Sequence, residues 1–120
     1  MAQKLKVAAK PVFKAPVHFN LAGNEVGETI EIAFTAEFKR LNSEQRKELL
    51  DNHVGPQKGD DKAVVDRVLA NFSGLEDEEG QPFICTPENI DQAEAEWPGF
   101  IAAIVTSYFA NASKAPGKNS

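Results

Sequence analysis

The sequence has little of what disulfide-bonded or metal-binding proteins need. Its 120 residues include one cysteine, Cys85, so no disulfide can form within the chain, and nothing indicates an oxidising compartment. The two histidines, His18 and His53, lie in no HExxH or CxxC spacing of the kind that holds zinc. We therefore expect Cys85 to be a small core residue, and we expect no metal site and no cofactor.

Catalytic motifs are also missing. The glycines form no P-loop and no GxGxxG fingerprint, and no serine stands in a GxSxG elbow. Cys85 has no histidine near it in the sequence that would activate its thiol. Because no catalytic constellation is offered, we predict that the protein is not an enzyme.

No stretch is long and apolar enough to cross a membrane. The N-terminal MAQKLKVAAK is basic but lacks the apolar segment of a secretory signal. Residues 97–113 carry no charge, yet Pro98, Gly99, Thr106 and Ser107 interrupt a run shorter than the about 20 apolar residues of a spanning helix. We expect a soluble, intracellular protein.

Positive charge is scarce as well. The formal net charge is −5, and residues 60–96 hold eleven acidic side chains against only Lys62 and Arg67. This balance disfavours nucleic acid as a ligand, since phosphate binding needs a cationic face. The run 76–79 lacks the spaced oxygen ligands of a calcium loop, so we interpret it as a solvated loop. The charge suits a partner with a basic or apolar surface.

Two alternating runs near the start indicate strands. Apolar residues recur at every second position over residues 13–19 and again over residues 29–38, separated by the turn-forming LAGNEVGE. The sequence therefore predicts an antiparallel β-hairpin. Pro16, which has no N–H, places the first strand at an edge or breaks it.

Beyond the hairpin the pattern predicts about four helices. We expect them over residues 44–52, with Leu49 and Leu50 inward; from residue 60 or 61 to 72; over 87–94; and from about 98 to 112. Asn42 or Ser43 can cap the first of them, and HVGPQKG (53–59) breaks it. Gly74 is the expected stop of the second, and Thr86 is the expected N-cap of the third, with Pro87 at its first position. The fold class is therefore α+β. We expect one domain over residues 1–120, with residues 1–9 and 113–120 flexible.

The last predicted helix has two unlike faces. The large apolar residues of one face are expected to be core, namely Phe100, Ile101, Ile104, Val105 and Tyr108. The other face carries small, weakly polar residues where charges are usual, namely Ala102, Ala103, Thr106, Ser107 and Ala110. Either another element of the same domain covers this small face, or it binds a partner or a second copy. We take these five as the candidate partner-binding residues.

Four segments follow one another in a familiar order. They are KPVFKAPVHF (10–19), IEIAFTAEFKRL (30–41), NFSGLEDEEGQPF (71–83) and TPENIDQAEAEWPGFIAAIVTSYFANA (86–112). In order and spacing the chain resembles the tail assembly chaperones of long-tailed bacteriophages and prophages. The resemblance covers roughly residues 10–119.

This resemblance implies a non-enzymatic role in viral morphogenesis, in the cytoplasm of the bacterial host. Such proteins bind the tape measure protein, keep it soluble and help to bring tail tube protein to it. An alternative is a minor structural tail adaptor or completion protein that stays in the virion. The family also often makes a longer form by ribosomal frameshifting, and Pro116-Gly117-Lys118 is compatible with a slippery codon run.

Overall fold

The computed structural model describes residues 11–53 and 61–112, which form three strands and four helices. In chain order they are β1 (Val12–Ala22), β2 (Thr29–Lys39), α1 (Ser43–His53), α2 (Asp61–Val68), β3 (Leu69–Ser73), α3 (Pro87–Glu96) and α4 (Phe100–Asn111). The predicted α+β class, with a hairpin followed by helices, is confirmed. The expectations for residues 1–9, for the break in HVGPQKG after His53 and for 113–120 lie outside the described residues.

The hairpin forms as the alternation predicted. β1 and β2 pair antiparallel, with Val17 opposite Phe34 and Phe19 opposite Ile32, so their apolar side chains share one face. The turn is fixed by Glu28, whose carboxylate accepts hydrogen bonds from the backbone N–H groups of Asn24 and Glu25 at 2.9 and 3.0 Å. The sheet order is β1-β2-β3, so β1 is an edge strand, as Pro16 predicted.

The helix predicted to run to residue 72 ends four residues earlier. Residues 69–73 instead form β3, which pairs antiparallel with β2, with Ala36 opposite Phe72. The apolar positions of this stretch fit helical spacing, but β2 offers an open edge whose hydrogen bonds decide the outcome. Gly74, with φ +96, then ends the strand rather than the helix.

The helix starts follow the predicted capping chemistry. The Asn42 side chain accepts from the N–H of Gln45 at 2.8 Å, and Gln45 bonds back to the N–H of Asn42 at 2.9 Å. Thr86 caps α3 by accepting from the N–H of Asn89 at 3.0 Å, with a proline in the first turn. One detail is wrong: Leu49 is buried as expected, but Leu50 is 42% exposed because it lies on the outer side of α1.

The core lies between the apolar face of the sheet and α4. Phe100, Ile104 and Tyr108 of α4 are fully buried, while Ile101 and Val105 are half-buried. Rings interlock across this layer, and Phe100 and Phe34 stack with centroids 5.3 Å apart. This packing fixes α4 along β1, which directs its small face towards the edge of the sheet.

Candidate docking groove beside the last helix

A groove of about 500 Å³ runs between β1 and α4. All five residues of the predicted small face line it. The other lining residues come from β1 and from the start of α4, and no local pattern in the sequence points to them: Pro16, His18, Phe19 and Gly99. Asn111 closes the lining at the other end. No Lys, Arg, Asp or Glu lines the groove among the residues that the structure describes. Pro16 and His18 alternate with the buried positions of β1, and only the fold shows that α4 lies beside them.

The five residues differ in burial. Ala102, Thr106 and Ala110 are exposed, and Ala103 is half-buried against the core. Ser107 is only 7% exposed, and its hydroxyl donates a 2.7 Å hydrogen bond to the carbonyl oxygen of Pro16. The small face is therefore partly covered by the protein's own first strand, and Ser107 is an internal contact rather than an open surface.

The start of α4 is held by a residue from α3. Gly99, at φ +104, precedes the first residue of α4 and has no side chain that could cap it. The Glu94 carboxylate supplies the cap, accepting from the N–H groups of Ile101 at 2.8 Å and Gly99 at 3.3 Å. A negative charge at a helix N-terminus is favourable, so α3 fixes the end of α4 that borders the groove.

A second cleft, of about 400 Å³, lies on the other side of Trp97. Its floor holds Phe83 and Trp97, whose ring centroids are 6.0 Å apart, and its rim is acidic. The rim loop is ordered by Asp77, whose side chain accepts from the N–H groups of Glu79 and Gln81. Within the described ranges no group of three His, Cys, Asp or Glu side chains could hold a metal ion.

Cys85 is half-buried and packs against the core. Burial raises the pKa of its thiol, and a hydrogen bond with the Phe72 backbone lowers it by less. We predict that Cys85 reacts with a disulfide reagent more slowly at pH about 8 than a free cysteine peptide does, because less of it is thiolate. Labelling in denaturant should restore the peptide rate; equal rates in the folded protein would contradict the shift.

A family model described as phage tail assembly chaperone matches residues 1–119. No curated protein and no solved structure matches the chain. In the described ranges, no helix combines the length and the apolar character that crossing a membrane requires.

Proposed function

The chain belongs to the phage tail assembly chaperone family, and from this we propose that it binds the tape measure protein in the host cytoplasm, keeps it soluble and promotes assembly of the tail tube. This role is non-enzymatic, and its partners are the tape measure and tail tube proteins. The longer frameshifted form that the resemblance implies is part of the same proposal, and the codons for residues 116–118 decide it.

One observation supports the groove beside α4 as the docking surface. Its exposed lining is built from small side chains, Ala102, Thr106 and Ala110, without a charged residue between them. Small side chains let another helix approach closely, and the lack of charge means that covering the groove desolvates no ion. An apolar face of a helical partner fits such a groove, and the acidic remainder of the chain keeps the complex soluble.

The test places a charge in the groove without touching the core. We expect Ala102→Glu and Thr106→Glu to weaken capture of co-expressed tape measure protein by about tenfold or more, because a carboxylate would be desolvated in the interface. Both side chains are exposed, so the thermal midpoint of the free protein should change little. Binding is measured by pull-down from cells that produce both proteins.

Ala95→Glu is the matched control, since Ala95 is an exposed alanine of α3 outside the groove. It should bind like the unchanged chain. Normal capture by both groove variants would place the docking surface elsewhere. Mass spectrometry of purified virions separates the alternative role: a chaperone should be absent, whereas stoichiometric copies would identify a structural tail protein.

A further inference from the structure

The cleft on the other side of Trp97 has an apolar floor that the described part of the chain leaves open. Phe83 and Trp97 pack against the core, yet both are only half-buried, and they line the cleft together with Ala93. The volume of about 400 Å³ is in the range of clefts that hold a ligand. Aromatic rings exposed in this way bind apolar side chains, and their faces also attract cations.

The rim of this cleft is negative and has no cation of its own. It is built from the loop 76–79 and from Gln92 and Glu96 of α3, and no Lys or Arg lines the cleft among the described residues. None of these acidic side chains forms an ion pair within the described ranges. An apolar floor inside such a rim therefore suits a segment that carries apolar side chains and lysines side by side.

The chain itself carries a segment of this composition before β1. Residues 1–10, MAQKLKVAAK, include three lysines and no acidic residue, and in KLKV (4–7) lysine alternates with leucine and valine. The other terminal segment, SKAPGKNS (113–120), has two lysines but no large apolar residue. Only the first of the two segments therefore matches both the floor and the rim.

The first segment is long enough to reach the cleft of its own molecule. β1 begins beside the end of α4, where the rings of Phe13 and Tyr108 are 6.1 Å apart, whereas Trp97 precedes the start of α4. The twelve residues of α4 span about 18 Å, and ten extended residues can span about 33 Å. A tether this short gives an effective concentration in the mM range, which favours contact within one chain.

We propose that residues 1–10 dock in the cleft of their own chain, with Leu5 and Val7 against the aromatic floor and the lysines at the acidic rim. Each exposed ion pair contributes little, so docking is partial and depends on salt. The contact leaves the groove beside α4 free, because the two sites share no lining residue.

The fluorescence of Trp97 reports on docking, because the chain has no other tryptophan. The measurement is quenching by acrylamide, a neutral molecule that the charged rim does not repel. The docked segment shields the indole, so quenching should be weaker at low salt than in about 0.5 M NaCl, where screening releases the lysines. Lys4→Gln combined with Lys6→Gln should lower the ratio of docked to free segment by about fivefold, as for the loss of two exposed ion pairs. This variant should therefore lose most of the salt dependence.

Lys114→Gln combined with Lys118→Gln is the matched control, since it removes two lysines from the other end of the chain. It should be quenched like the unchanged chain. Glu78→Gln combined with Glu79→Gln should reproduce the effect of the Lys4 and Lys6 replacements, and all four together should add little, because both sides of one contact are then lost. Both glutamates are exposed, so the fold should persist, as circular dichroism would verify.

Three results would overturn the proposal. They are quenching that is the same at low and high salt, quenching unaffected by the Lys4 and Lys6 replacements, and a control that behaves like those replacements. Quenching that changes with protein concentration between about 1 and 100 µM would assign the cleft to a second copy instead, since a contact within one chain does not depend on concentration. Capture of tape measure protein by the groove is an independent readout.

Discussion

Replacing Phe100 with alanine should lower the free energy of unfolding by about 3–5 kcal/mol, as for other large aromatic residues removed from a core. The ring is fully buried, and it stacks on Phe34 with centroids 5.3 Å apart. It also forms edge-to-face pairs with Phe72 and Phe19, with ring centroids 5.9 and 6.4 Å apart. Phe100 therefore joins α4 to all three strands, and its removal leaves a cavity that no single neighbour can fill.

Urea denaturation monitored by circular dichroism measures the effect. Phe109→Ala is the matched control, because Phe109 belongs to the same helix but is only half-buried. Phe109→Ala should lower the free energy of unfolding clearly less than Phe100→Ala does, because a smaller apolar area is lost from the core. Equal midpoints for the two variants would contradict the burial described for Phe100.

Replacing Ser107 with glutamate should cost about 3–5 kcal/mol of stability, since it leaves a buried charge without a partner. The hydroxyl that donates to the Pro16 carbonyl would give way to a carboxylate that faces a carbonyl oxygen. Burial raises the pKa of a carboxyl group, so the folded state binds the proton more tightly than the unfolded chain. Stability relative to the unchanged protein should therefore recover as the pH falls towards about 4.

Thr106→Glu is the control for this second prediction. Thr106 is the preceding residue of the same helix and is exposed, so its replacement should leave the unfolding midpoint nearly unchanged. Comparing the two variants by thermal unfolding separates the covered part of the small face from its open part. A folded and stable Ser107→Glu protein would show that β1 does not cover this position.

The elements that local sequence predicted correctly are those whose residue pattern fits only one kind of secondary structure. The period of two in the hairpin and the caps Asn42 and Thr86 act over a few residues, and they were confirmed. The prediction of a helix over residues 69–72 was wrong because Leu69 and Phe72 suit a helix or a strand equally. The pairing of Phe72 with Ala36, which is far away in the sequence, decides between the two. The prediction that Leu50 faces the core was wrong for a similar reason, since the tertiary fold determines which side of α1 is covered.

The candidate site, too, could be predicted only in part from local sequence. The lack of charge on one face of the last helix was visible in the sequence, and the structure gathers these residues into one groove. Its other wall, with Pro16 and His18, depends on the placement of α4 against β1, which no local pattern contains. The burial of Ser107 follows from that placement too.

The hydrogen bond between Ser107 and Pro16 joins positions 91 residues apart. During translation the hairpin leaves the ribosome before α4, because four described elements, α1, α2, β3 and α3, lie between the two in the chain. Until α4 arrives, the outer edge of β1 has no helix beside it, and Pro16 is the feature that discourages another strand from pairing there. The protein therefore completes the wall of its groove only after α4 has been made, and a nascent chain lacking α4 has no such groove to offer a partner.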